Sequence, residues 1–204
     1  MSVSLKKGQK VDLTKGNAGL KKVVVGLGWD EVKKGLFNWG VQDIDCDAMA
    51  FLLDKNGRIG KRNDVIFFNN LTHKTGCVIH NGDNLTGGGD GDDEQIIVDL
   101  ANLPPEYERV VILVSIYQAT QRNQHFGMIK NAFIRVFDAQ TNKELCIYNL
   151  SSEDFNGMSS MVFGELYRKN GEWKFNAIGQ PMKIWAVDQL AEKYGLPMNV
   201  WQKS

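Results

Sequence analysis

The sequence predicts an all-β protein, a two-sheet β-sandwich with one C-terminal α-helix, and three observations carry that prediction. Short runs rich in Val, Ile, Phe and Tyr recur along most of the chain, separated by Asn, Asp and Gly turn residues. Asn-Gly, the strongest short hairpin signal, stands between such runs at Asn56-Gly57 and again at Asn170-Gly171. Apolar residues at helical spacing occur only near the end, at Ile184, Val187, Leu190, Ala191 and Tyr194, with Gly195 where a helix would stop.

In chain order, strands are expected at Val11 to Leu13 and at Lys22 to Trp29, the second dense in β-branched residues. Glu31 to Gln42 shows no sustained period and reads as a loop insert anchored by Phe37 and Trp39. Asp43-Ile44-Asp45-Cys46-Asp47-Ala48 alternates strictly, so a strand would put three carboxylates on one face; it runs on into the apolar Met49 to Leu53. Asn56-Gly57 predicts a hairpin to Asp64 to Phe68, and Cys77 to His80 and Gln95 to Leu100 bracket an acidic loop. Arg109 to Tyr117 is apolar enough for a central strand buried on both faces, and its exit, Gln118 to Gln124, reads as a polar loop. Asn131 to Phe137 pairs with Glu144 to Tyr148 across a turn at Asp138 to Asn142, and Met161 to Arg168 pairs with Trp173 to Ile178. Many short strands at such intervals point to a two-sheet sandwich of about ten strands.

A chain of 204 residues is expected to form one domain, residues 1–204. Its 24 basic residues balance 24 acidic ones, which gives no bulk charge for nucleic acid. The start, Met1 to Lys7, is not followed by an apolar stretch of signal-peptide type, and no run reaches the length of a membrane span, so the expected location is cytoplasmic. Cys46, Cys77 and Cys146 are odd in number, far apart and set among apolar neighbours, as buried reduced thiols would be.

The chemistry concentrates at Gly82 to Glu94, which holds five carboxylates (Asp83, Asp90, Asp92, Asp93, Glu94), five glycines and no Lys or Arg. Two carboxylates about 4 Å apart repel by roughly 4 kcal/mol at an effective dielectric of about 20, so a folded loop of this composition calls for a cation. Glycines let carbonyls turn inward, and an all-oxygen, irregular ligand set suits calcium better than octahedral magnesium. The bland alternative is a solvated acidic turn. The spacing is not that of an EF-hand, because Gln95 and Ala101 fall where its glycine and glutamate belong when counting from Asp90. Gly88 to Asp93 matches the start of a calcium nonapeptide repeat only once, which excludes a β-roll. Asp43, Asp45 and Asp47 form a second acidic element that one cation site could share, with Asn69, Asn70 and Asn84 as further oxygen donors.

Catalytic constellations are sparse. His73, Cys77 and His80 lack a nearby fourth zinc ligand, and in a continuous strand Cys77 and His80 would face opposite ways. His125 stands alone, and neither a Gly-x-Ser-x-Gly elbow nor a phosphate-binding glycine fingerprint is present.

Taken together, Ser4-Leu5-Lys6-Lys7-Gly8, Val25-Gly26-Leu27-Gly28-Trp29-Asp30, Asp43 to Ala48 with Phe51-Leu52-Leu53, Phe68-Asn69-Asn70, Gly82-Asp83-Asn84, Gly89 to Glu94, Phe163 to Arg168 and Asn170-Gly171-Glu172-Trp173 resemble the TerD family of bacterial tellurium-resistance and stress-response proteins. The resemblance implies a β-sandwich that binds calcium at one end, in the cytoplasm or at its membrane face, with no known catalytic activity. It implies ligand roles for Asp43, Asp45, Asp83, Asp92, Asp93 and Glu94, with Asn69 and Asp90 beside them. Gly88 departs from the Glu frequent there in relatives, Cys46 and Met49 replace Leu and Ser, and the insert Lys34 to Trp39 lengthens a loop. The expected function is a non-enzymatic calcium sensor or scaffold holding two ions, with other stress-response proteins of the same system as partners. An alternative is a magnesium- or manganese-dependent phosphoesterase using the same carboxylates. A third reading is calcium-dependent peripheral membrane association through Phe37 and Trp39.

Overall fold

The computed structural model describes residues 2–31, 44–83, 91–150 and 155–201. Two six-stranded sheets face each other. In chain order the strands are β1 (Val3–Leu5), β2 (Lys10–Asp12), β3 (Lys22–Glu31), β4 (Cys46–Leu53), β5 (Val65–Ile66), β6 (Val78–Asp83), β7 (Glu94–Asp99), β8 (Arg109–Ile116), β9 (Ile129–Asp138), β10 (Glu144–Asn149), β11 (Ser160–Lys169) and β12 (Glu172–Met182). The first sheet runs β1-β10-β9-β3-β7-β6 and the second β2-β12-β11-β8-β4-β5. The all-β sandwich expected from the sequence is what the chain forms, with α2 (Val187–Lys193) as its C-terminal helix.

Alternation decides what each strand buries. Val23, Val25 and Leu27 of β3 and Ile96 and Val98 of β7 point into the space between the sheets, where they meet Ala48, Ala50 and Leu52 of β4 and Ile112, Val114 and Ile116 of β8. The opposite face of β4 and β8 carries Met49, Phe51, Leu53, Val111 and Leu113, which pack beneath Leu190, Ala191 and Leu196 of the C-terminal segment. Both strands are therefore apolar on both faces because the helical layer covers what the other sheet does not. Tyr194 meets Phe51 edge to face, with ring centroids 5.6 Å apart.

The two Asn-Gly dipeptides behave differently. At Asn170-Gly171 both residues have positive φ (54° and 79°), and Lys169 pairs with Glu172 in a two-residue hairpin. At Asn56-Gly57 the hairpin is not the one expected. The Asp54 carboxylate accepts from the N–H groups of Asn56 and Arg58, and the chain then runs on to bond Ile59 to the Tyr194 carbonyl. It returns to β4 only at β5, where two residues pair, so the expected strand over Asp64 to Phe68 shortens to Val65–Ile66. Two further elements were not foreseen: β1, which joins β10 in parallel, and a single helical turn, α1 (Ala119–Arg122), in the exit from β8. The C-terminal helix begins at Val187 rather than Ile184.

Candidate metal centre

The acidic loop hangs between β6 and β7, and its two feet are neighbours, since Asp83 and Glu94 are paired across those strands. Asp43 and Asp90 lie outside the described residues, as does the insert Lys34 to Trp39. Asp92, Asp93 and Glu94 follow one another at the foot of the loop, but their side chains are held in three different places.

Asp92 lies across the outer face of the first sheet. On that face Gly26 of β3 sits between Gln95 of β7 and Arg135 of β9. The Asp92 carboxylate covers Gly26 so closely that a Cβ there would fall 2.2 Å from Oδ2. Arg135 donates from Nε to Oδ1 at 2.6 Å and Gln95 donates from Nε2 to Oδ2 at 2.9 Å. The Arg135 guanidinium, stacked between Phe133 and Phe137 at 6.0 and 5.4 Å, is held more firmly charged, chiefly by its hydrogen bond to Asp92. Gly28 makes the same kind of room for the Phe133 ring. The glycines of Val25-Gly26-Leu27-Gly28 thus exist for what lies on them.

Asp93 performs a capping task. The pairing of β3 with β7 ends at Leu27, and the pairing with β9 slips between Gly28 and Asp30. Asp93 Oδ2 accepts the Trp29 N–H at 2.7 Å where the ladder is broken, and the Asp93 N–H donates to the Leu27 carbonyl at 2.7 Å.

Glu94 points inward and reaches the opposite sheet. Its Oε2 accepts the Ala48 N–H at 3.1 Å and stands 2.9 Å from Nε2 of the buried His80. His80 Nδ1 accepts the Gly82 N–H at 3.1 Å, so the ring carries its proton on Nε2, where it faces both Glu94 and, at 3.1 Å, the Ala48 carbonyl. Burial pushes the His80 pKa down, but the hydrogen bond and charge of Glu94, with the Ala48 carbonyl and Asp47, outweigh it and leave it raised.

Asp45 precedes β4, is largely exposed, and lies 3.9 Å from Arg122 of α1. Asn69 lies exposed in the turn bridged by Phe67 and Asn70. Among the described residues, no three His, Cys, Asp or Glu side chains are gathered around a common point. His80 and Arg135 are the site residues that the sequence did not yield. A histidine at an inward position of β6, and a lone arginine between two phenylalanines in the apolar run Ala132 to Phe137, were the available signals.

The other histidines are also occupied. His73 Nε2 donates to Asp64 Oδ1 at 3.2 Å while Nδ1 meets Thr75 Oγ1 at 2.7 Å, and Tyr107 donates to the same Asp64 oxygen at 2.9 Å. His125 Nδ1 accepts the Gly127 N–H at 3.1 Å.

The TerD domain profile matches residues 1–194. General stress protein 16U of Bacillus subtilis is 48% identical over 96% of this chain and 98% of its own length. Tellurium resistance protein TerD of Serratia marcescens is 47% identical over 88% of this chain and 91% of its own. In fold, the chain is similar to the crystal structure of a homologue of telluride resistance protein (TerD) from Streptomyces coelicolor A3(2), with a TM-score of 0.65 and 24% identity, covering 88% of this chain and all of that one. On its sequence, the chain belongs to the TerD family.

Proposed function

We propose that this protein is a calcium-binding, non-enzymatic module of a bacterial stress response of the tellurium-resistance type, acting in the cytoplasm with other proteins of that response. The observation that carries the reading is the bond from Glu94 to Ala48, which ties the foot of the acidic loop to the start of β4, next to Asp45 and Asp47. One foot of the acidic loop is thus joined to the strand that follows Asp45. The relatives named for general stress and tellurium resistance supply the biological setting.

The donor set fits a hard cation, since it is all oxygen. The loop carries Asp83, Asp90, Asp92, Asp93 and Glu94, of which Asp92 is bonded to Arg135 and Glu94 to His80, and Asp43 and Asp45 stand just before β4 in the sequence. Asp43, Asp45, Asp83, Asp90 and Asp93 would hold up to two ions, with Asn69 as a neutral donor and Glu94 through its second oxygen. Asp92 is the least suited ligand because its charge is spent on Arg135. Calcium there would supply charge neutralisation and a cross-link between loop and sheet. Histidines engaged at both ring nitrogens (His73, His80) favour a binding role over hydrolysis.

Thermal unfolding with calcium and with chelator tests the proposal. Calcium at about a hundred times its Kd adds roughly 2.7 kcal/mol, enough to raise Tm by about 5–10 °C in a chain of this size. Asp45→Asn combined with Asp93→Asn, which keeps an oxygen for the Trp29 N–H, should remove most of that shift, while Asp92→Asn should lower Tm with or without calcium and leave the shift. Equal melting with saturating calcium and with chelator would overturn the reading.

A further inference from the structure

Beside the start of β4, on the outer face of the second sheet, lies a cavity of about 130 Å³. It is lined by Asp47 and Met49 of β4, Phe68, Tyr117, Trp185 and Asp188 at the start of α2, among others. Its composition is selective. Three aromatic rings and a thioether form the walls, two carboxylates complete them, and the lining contains no Lys or Arg. The Tyr117 and Trp185 rings are nearly perpendicular, at 80° with centroids 6.3 Å apart, so they form two walls of a corner rather than a flat stack. Phe68 is half exposed, which is unusual here for a large apolar side chain. Tyr117 already carries one cation on its ring, with the Arg122 guanidinium 5.0 Å from the centroid. Trp185 and Phe68 remain as the aromatic surfaces for a ligand.

We propose that this cavity binds a small organic cation of the alkylammonium class, with the methylated or methylene-bearing nitrogen against Trp185 and Phe68 and its charge balanced by Asp188 and Asp47. An aromatic corner alone would take any small apolar group. The carboxylates make charge the criterion, and a ring face attracts an onium ion most strongly when the site is shielded from water, tryptophan best of all. The volume agrees: a protein cavity of about 150 Å³ accommodates benzene, and a trimethylammonium group is of comparable bulk. A hard metal ion would find too few oxygens here. The site is distinct from the proposed calcium centre: Trp185, Asp188 and Phe68 belong to neither acidic element, and Asp47, which does, is not among the residues assigned to calcium.

The test is titration of the full chain, in chelator, with choline and with its neutral isostere 3,3-dimethyl-1-butanol, followed by calorimetry and tryptophan fluorescence. Choline should bind at least about tenfold more tightly than the alcohol, the difference that a shielded cation–π contact and a carboxylate provide. Asp188→Asn, which keeps the side chain's shape and an oxygen for the Gln189 N–H, should narrow that ratio severalfold, and Trp185→Leu should abolish choline binding. Calcium should not compete. Equal affinity for choline and the alcohol would overturn the proposal in favour of a plain apolar cavity, and absence of choline binding to the wild-type chain would overturn it outright. Competition by calcium would place the ligand in the acidic loop and refute the assignment.

Discussion

Gly26→Ala isolates the part of the site that the sequence could not explain. The backbone of Gly26 is extended, so alanine is permitted there and in isolation would stabilise the strand by about 0.4–1 kcal/mol. In this protein the new methyl would fall 2.2, 2.3 and 2.4 Å from Oδ2, Cγ and Oδ1 of Asp92, so the whole carboxylate must leave its seat. It would lose the bonds to Arg135 Nε and Gln95 Nε2. Breaking a buried charge pair costs about 3–5 kcal/mol, and the lower end applies because the Arg135 side chain is one-third exposed. The net expectation is a loss of about 2–3 kcal/mol, or roughly 5–10 °C in Tm.

Urea unfolding of Gly26→Ala, Asp92→Ala and the double variant completes the argument as a thermodynamic cycle. Asp92→Ala alone should cost about 3 kcal/mol. In its background the methyl introduced by Gly26→Ala meets the vacated space, so the second change should be neutral or gain about 0.5 kcal/mol, which gives a coupling of about 3 kcal/mol. An equal penalty in both backgrounds would locate the problem in the backbone and refute the reasoning. So would a wild-type background that tolerates alanine. Repeating the cycle with calcium separates structure from ligation: a carboxylate occupied by Arg135 predicts an undiminished calcium shift in Gly26→Ala.

Two further measurements bear on the buried polar groups. Burial would raise the Asp64 pKa, but hydrogen bonds from His73 and Tyr107, with the charge of Lys61, hold it below the ordinary carboxylate value. Because the folded value is depressed, its contribution is complete above the unfolded pKa of about 3.9 and is lost as pH falls through the folded one. Asp64→Asn should therefore cost about 1–3 kcal/mol at neutral pH, with the two stability curves converging in acid; parallel curves would mean that Asp64 is not ionised in the native state. All three cysteines are buried and none forms a disulfide, and burial pushes the Cys146 thiol up to about 12, so a thiol reagent at pH 8 should titrate none in the native protein and all three in denaturant.

What could be read from the sequence was what depends on near neighbours. Alternation set the faces of β3, β4 and β7, and the Asn170-Gly171 turn was legible because both residues tolerate positive φ in the register their strands need. Asn56-Gly57 misled because a second, local acceptor competed. Asp54 gathers the amides of Asn56 and Arg58 and sends the chain toward Tyr194, a contact between distant parts of the chain that no local pattern announces. Three of the acidic residues at the site, Asp92, Asp93 and Glu94, were visible as carboxylates, yet their tasks depend on Arg135, Trp29 and Ala48, which lie at distant points of the chain. Like charges clustered in sequence suggested a shared occupant. In the fold these three diverge, Asp92 toward the side chains of Arg135 and Gln95, and Asp93 and Glu94 toward the backbone N–H groups of Trp29 and Ala48.

That divergence constrains how a cation can be held. If Glu94 swung wholly toward an ion, the buried Ala48 N–H would lose its acceptor and His80 its partner, at about 1–3 kcal/mol for each buried group left unsatisfied. Oε2 therefore remains with the fold, and only Oε1 is free to ligate without separating the sheets at this point. Asp93 likewise commits an oxygen to the fold, Oδ2 accepting the Trp29 N–H. A calcium ion held as proposed, through Oε1 of Glu94 while Oε2 pins the strand, would make the loop and the sandwich a single mechanical unit. Charge placed in the loop would then be felt at Ala48, in the opposite sheet, and sheet docking and cation affinity would rise or fall together.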